Sequence, residues 1–269
     1  MTRTTPSSAA HPVSSGPTSA QAPVPAPAPT AAPEHAAARP TAAWTAAGAV
    51  AAGVLLLLFP VLRPWPDESV PSLALAEAFA SDRWVLAHLC GIAGLGLLAP
   101  TFLGLRTLVR GGADPGSAAP GARAATAAVV TAWAGAALCS LYFGAEIFGI
   151  RTIAQAALRT QDPALLADVD VLREQPVAMT LFGVGLGLVT AAGVLAAVAL
   201  WRGGARPRWA GVPLAVGLAL YLPQFFGTPA VRVAHGALVA AGLLLVAWAV
   251  RRTGAGLAPG TTTAGHPVG

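Results

Sequence analysis

Six apolar runs punctuate the chain, each near the roughly 20 residues that an α-helix needs to cross the hydrocarbon core of a bilayer. They cover 41–62, 84–105, 124–150, 177–201, 209–227 and 233–250. The first is centred on Gly53-Val54-Leu55-Leu56-Leu57-Leu58-Phe59, and the fifth is the weakest because it holds Pro213 and Pro223. The pattern predicts an all-α, polytopic membrane bundle of six transmembrane helices. Two shorter elements are expected between the runs. Residues 72–83 read as an amphipathic helix leading into the second span. Asp162 stands before Pro163, an N-cap followed by proline at the first helical position. A helix over 163–174 follows, with Leu165, Leu166, Val169 and Leu172 as its apolar stripe. It would lie on the membrane or cap the bundle.

Outside 41–250 the character changes. Residues 1–40 are rich in Pro, Ala, Ser and Thr, as in Ala22-Pro23-Val24-Pro25-Ala26-Pro27, with few large apolar side chains. Such a segment buries too little surface to offset the entropy of ordering, so it reads as a disordered tail. A secretory signal would need its apolar region nearer the start. Residues 251–269 form a second short tail, rich in Gly and Thr.

Composition narrows the class. Of 269 residues, 55% are hydrophobic and 10% charged, with a mean hydropathy of +0.65. A soluble domain carries about 25% charged residues. An ordinary water-soluble enzyme is excluded, as is a coiled coil. Two cysteines exclude a disulfide scaffold, and 30 glycines without a three-residue period exclude collagen. The net charge of +5 and a pI near 10.5 raise the question of nucleic acid. Every basic residue is arginine, and the Ala, Gly and Pro bias fits a GC-rich, actinobacterial type of coding sequence. The arginines are scattered at the ends of apolar runs, with no basic stripe, so nucleic-acid binding is not expected.

Those arginines instead report topology. With the N-terminus inside, the inner segments carry Arg3, Arg39, Arg106, Arg110, Arg123, Arg202, Arg206, Arg208, Arg251 and Arg252. The outer ones carry Arg63, Arg83, Arg151, Arg159, Arg173 and Arg232, with eight of the 11 acids. Ten arginines against six, and three within 202–208, predict both termini in the cytoplasm of a bacterial inner-membrane protein.

Candidate chemistry is confined to a few positions. Among the 16 basic and 11 acidic residues, Glu146 is the one that falls within a span. His88 and His235 join it, with Gln224 as a polar neighbour. Ionisable groups in a membrane are costly and mark functional sites by default. At 1.5 Å rise per residue, His88 and Glu146 each lie about 6 Å below the outer end of their span. Gln224 and His235 lie about 4–5 Å deep. Tyr142 sits one turn from Glu146, and Tyr221 one turn from Gln224. One shared level predicts one polar pocket of His88, Tyr142, Glu146, Tyr221, Gln224 and His235, taking a small ligand or partner. The bland reading is that these side chains meet headgroups, or that Glu146 bonds a neighbouring helix. The alternative is an enzyme or haem protein. His88, His235 and Glu146 match the ligand types of catalytic zinc, and two histidines could hold haem, but no spacing motif such as HExxH accompanies them. A small-solute transporter is a further alternative, weakened by the absence of a midplane charge. Cys90 and Cys139 read as packed thiols. Gly183, Gly187 and Ala191, and Gly236 with Ala240, read as close-packing faces. Trp84, Trp201, Trp209 and Trp248 read as interfacial anchors.

Trp84-Val85-Leu86-Ala87-His88 opening a span, followed by Gly91 and Gly94, resembles a diffuse group of bacterial multi-pass membrane proteins. In that group an acid also falls late in the next long span, as in Phe143-Gly144-Ala145-Glu146-Ile147-Phe148. The resemblance covers roughly spans two to six and implies no activity. It adds weight to the bundle, to His88 and to Glu146.

Overall fold

The computed structural model describes residues 33–112 and 119–256. The tail expected over 1–40 thus falls mostly outside the described residues, as does that over 251–269 beyond residue 256. The described residues are mainly helical, with no strand among them. In chain order they are α1 (Pro33–Leu62), α2 (Leu73–Ala80), α3 (Asp82–Gly111), α4 (Ala122–Gly144), α5 (Arg151–Thr160), α6 (Ala167–Arg173), α7 (Pro176–Arg202), α8 (Val212–Ala219) and α9 (Pro229–Gly256). A π-helical turn, Ala145–Ile150, joins α4 to α5 in one 39-residue rod, Ala122–Thr160. Five segments are long and apolar enough to cross a membrane: Arg39–Leu62, Asp82–Gly111, Ala122–Thr160, Pro176–Arg202 and Pro229–Thr253.

The fifth expected span is not one helix. It is a 3-10 turn (Arg208–Gly211), the eight-residue α8, and a second 3-10 turn (Pro223–Phe226). Pro223 has no N–H to give, and its ring would clash with the carbonyl of Ala219, where α8 stops. The Tyr221 N–H turns to the Leu218 carbonyl, which leaves the Gly217 carbonyl to be met from outside. His235 meets it: Nε2 donates to Gly217 O at 2.8 Å. The Thr190 hydroxyl adds a second bond, to Leu218 O at 3.0 Å. Broken helices are tolerated at membrane depth when neighbours re-satisfy the freed groups in this way. We expect His235→Leu to cost about 1–3 kcal/mol, the penalty of a buried polar group left unpaired. Thr190→Val should cost less, because Leu218 O keeps the Tyr221 N–H. Unfolding in mixed micelles would rank the two.

The bundle packs on small residues and exposes large ones. Ala46, Ala49 and Ala52 on α1, Ala125, Ala128 and Ala132 on α4, and Ala192, Ala196 and Ala199 on α7 are buried. Trp44, Trp133, Val130, Leu141, Phe148 and Val184 are exposed. Membrane helices pack in this sense, because lipid gives no hydrophobic drive and close approach of backbones must hold them together. The glycines used differ in part from those expected. Gly183 and Gly187 have nothing within 4 Å, whereas a Cβ on Gly185 would lie 2.9 Å from Cys139 Sγ. The contact face of α7 is therefore rotated from the one read in sequence. On α9 the expected pair does pack: a Cβ on Gly236 would lie 2.8 Å from Pro60 Cγ, and one on Gly53 of α1 3.3 Å from Ala240 Cα.

A second core lies at one end. α2, α5 and the segment 163–173 bury Leu75, Phe79, Ala154, Ala157, Leu166 and Val169 together with Trp84 and Ile150. The start expected at Asp162 is present: its carboxylate accepts from Ala164 N at 3.0 Å, with Pro163 opening a 3-10 turn that leads into α6. Leu165 and Leu172 pack against the same core, so this segment caps the bundle. Ser72 and Ser81 cap α2 and α3 in the same manner.

Candidate functional site

Every long segment brings one end to a cavity of about 530 Å³ beneath that cap. The last turn of α1 supplies Phe59, and the loop beyond it Arg63, Trp65 and Glu68. His88 comes from α3, Tyr142 and Phe143 from α4, Glu146 from the π turn, and Arg173 from α6. Met179 and Phe182 come from the start of α7, Phe225 from the turn after α8, and Arg232 from the start of α9. So α3, α7 and α9 begin at this end, while α1 and α4 finish there. Leu108, Leu200 and Val250, near the other ends of α3, α7 and α9, surround a smaller apolar cavity of about 180 Å³.

Glu146 is buried, and a buried carboxylate must neutralise or find a cation. It finds Arg173. Arg173 Nε donates to Oε1 at 2.8 Å and Nη2 to Oε2 at 3.2 Å, the two-bond fork that guanidinium and carboxylate favour. Arg173 Nη1 donates to Glu68 Oε2 at 2.7 Å. Glu68 Oε1 in turn accepts from Arg63 Nη2 at 3.2 Å. The result is a chain of alternating charge: Glu146, Arg173, Glu68, Arg63. Burial works against the Arg173 charge, but the Glu146 and Glu68 carboxylates more than offset it, and its pKa is raised above the ordinary arginine value. For Arg63 the same two carboxylates offset burial only in part. Burial pushes its pKa down to about 10, which still leaves it protonated at neutral pH.

The π turn is what turns Glu146 inward. A π turn holds an extra residue within the helix and frequently occurs at functional sites. Its backbone is held from outside, since the Trp84 indole Nε1 donates to Glu146 O at 2.9 Å. Trp84 is therefore buried, not the interfacial anchor expected from its position, whereas Trp201, Trp209 and Trp248 are exposed.

His88 stands beside the carboxylate, its Nε2 3.7 Å from Glu146 Oε2. Its Nδ1 lies 2.7 Å from Trp84 O, and a carbonyl only accepts, so Nδ1 carries a proton. Nε2 is then a lone pair facing the carboxylate in the neutral ring, or a second donor in the imidazolium. Phe59, Trp84 and Phe143 ring the imidazole with centroids 4.4–5.8 Å away. Gly91, one turn along α3, admits the Phe59 and Phe143 rings: a Cβ there would lie 3.2 Å from Phe143 and 3.4 Å from Phe59.

The six residues expected in one pocket divide into two sets. His88, Tyr142 and Glu146 line the large cavity. Tyr221, Gln224 and His235 surround a separate void of about 10 Å³, scarcely the space of one water. Phe59 and Arg232 border both. Among the described residues no three His, Cys, Asp or Glu side chains stand close enough to hold a metal ion. The zinc set of His88, Glu146 and His235 is thus not assembled, and the two histidines expected for haem do not share a cavity. Cys90 and Cys139 are buried free thiols.

Sequence reasoning missed Arg63, Glu68 and Arg173, the partners that complete the site. The one available signal was the unpaired acid itself: a carboxylate inside a span calls for a cation, and Arg173 ends the helix that follows. No protein-family model, curated protein or solved structure matches the chain.

Proposed function

We propose that this chain is a multi-pass protein of the bacterial cytoplasmic membrane that binds a small ligand in the large cavity without catalysing a reaction. One observation carries the reading: the buried charges Glu146 and Arg63 and the half-buried Arg173 are gathered on the walls of a single cavity whose inner surface is largely aromatic. Ligand pockets of about 300–1,000 Å³ that combine apolar walls with a few convergent polar groups are the usual form of a small-molecule site.

The same reading has six crossings and both ends in the cytoplasm, with the cavity facing outward. Support for a sixth crossing comes from α7 and α9. Both start at the cavity end, so the chain between them, with its broken α8, has to return across the bundle. Arginine placement supports the orientation, with Arg202, Arg206 and Arg208 clustered at the end remote from the cavity. Cysteine labelling in intact cells tests it. A cysteine at Phe226, which is 88% exposed beside the cavity, should react with a membrane-impermeant maleimide, and one at Gly204 should not. The reverse pattern would overturn the orientation.

A further inference from the structure

Inside the rim the charges of the cavity do not balance, and that imbalance names a ligand class. Three guanidinium groups, Arg63, Arg173 and Arg232, face two carboxylates, Glu68 and Glu146. A third carboxylate on the rim, Asp67, is solvent-exposed and taken up by the Ser69 N–H and hydroxyl, at 2.9 and 2.6 Å. Both inner carboxylates are spent on arginine, Glu146 on Arg173 and Glu68 on Arg173 and Arg63. Arg232 gives its Nε–H to Gly227 O at 3.0 Å and an Nη2–H to Phe225 O at 2.6 Å, which leaves its charge unanswered by any carboxylate, and the unspent donor is on Arg63. Arg63 is buried, yet its Nε–H has no hydrogen-bond partner among the described residues. Its guanidinium lies 4.5 Å from the Trp65 ring centroid, and that of Arg232 lies 4.8 Å from the same ring. Two like charges thus flank one indole.

The rest of the wall is apolar. Phe59, Phe143, Phe182 and Phe225 form its inner surface. Met179 (51% exposed), Leu222 (48%) and Phe226 (88%) form a rim open to the surroundings, on the segments α7 and 220–226. A polar ligand would leave this surface unmatched, and a neutral one would leave the arginine charge unanswered.

We propose that the cavity takes a monoanionic amphiphile, its acidic head on Arg63 and beside Arg232, its apolar body along the phenylalanine wall. This rests on the ligand-binding reading above and adds the charge and shape of the ligand. A single negative charge closes the count of three cations against the two anions inside the rim. The head makes a charge-assisted contact with the Arg63 guanidinium in a site of low dielectric. Two sources share this chemistry, a free organic acid from the aqueous phase and an anionic membrane lipid.

The experiment uses the full-length protein purified in an uncharged maltoside detergent. Decanoate, decanol and decyltrimethylammonium are titrated below their micellar range, with thermal shift and calorimetry as readouts. Decanoate should bind at least tenfold more tightly than either of the others. Arg63→Gln should remove that preference, while Arg63→Lys, which keeps the charge but not the Nε–H, should retain part of it. The wild-type comparison needs no variant, so a folding defect in Arg63→Gln does not shield the idea. Equal binding of decanol, or a preference for the cation, would overturn the charge assignment while leaving a ligand-binding cavity in place. Binding of none of the three would remove both readings. Source is resolved by repeating the decanoate titration in nanodiscs at high salt. Weaker binding in phosphatidylglycerol than in phosphatidylcholine discs means that the anionic lipid occupies the site. Equal binding means a free acid.

Discussion

Replacing Glu146 with leucine is expected to destabilise the protein by about 3–5 kcal/mol, the usual cost of stripping one partner from a buried ion pair. Arg173 would keep Glu68, which is partly exposed, but lose both bonds of the fork inside the cavity. Arg173→Leu should cost at least as much. It would leave the Glu146 carboxylate buried without a hydrogen-bonded cation, with His88 at 3.7 Å. The double replacement separates charge pairing from general disturbance. Two apolar side chains leave no uncompensated charge, so Glu146→Leu/Arg173→Leu should be more stable than either single variant. Chemical unfolding in mixed micelles, read as a double-mutant cycle, supplies the coupling energy. A double variant that simply sums the two losses would mean that the pair is not coupled.

The second large effect is expected where α4 crosses α7. A Cβ on Gly135 would lie 2.8 Å from Gly185 O and 2.9 Å from Val189 N, both backbone atoms of the facing helix. Neither can move without parting the two segments. Gly135→Val should therefore cost about 3 kcal/mol or more, at the upper end for overpacking. Gly187 provides the contrast on the outer face of α7. Nothing lies within 4 Å of its would-be Cβ, so Gly187→Ala should be neutral or stabilising by about 0.5–1 kcal/mol through helix propensity. Thermal unfolding of the two variants side by side tests the crossing. Equal stability of Gly135→Val and wild type would place the contact elsewhere.

That crossing also marks the limit of what could be read in the sequence. Long apolar runs specify helices through composition alone, and five of the six expected runs appear as helices of spanning length. The cap at Asp162 was legible because its signal is local, a carboxylate and a proline at adjacent positions. The facing side of α7 was not legible. Gly183-x-x-x-Gly187 and Gly185 lie on different sides of the same helix, and in an Ala- and Gly-rich chain both sides look suitable. Hydrophobic periodicity fails here because lipid-facing and core-facing positions are alike apolar. Interior and exterior differ in side-chain size rather than polarity.

The site was legible to the same extent. Counting rise along helices placed His88 and Glu146 at one height, and the structure puts them side by side. Height carries no information about direction around the bundle. Gln224 and His235 share that height but surround their own small void, on the other side of Phe59. For His235 the decisive fact was the break in α8, which turned a candidate ligand into a cap for Gly217. Arg63 and Arg173 stayed hidden because they are loop and helix-end arginines in sequence, indistinguishable from the other four on the same side. Arg173 becomes a site residue through the fold-back of α6, and Arg63 through the loop that leaves α1.

The π turn at Ala145–Ile150 also sets a rotational phase. Each residue of an α-helix turns the chain by about 100°, so one residue more or fewer swings all that follows by that angle. Upstream, Ala136, Cys139 and Phe143 are aligned on the membrane bundle; downstream, Ala154 and Ala157 are aligned on α2 and the 163–166 turn. The wide turn is the joint that lets one rod serve two partners in different directions. Shortening it by a residue would leave both halves helical and yet point the cap away from the cavity it covers.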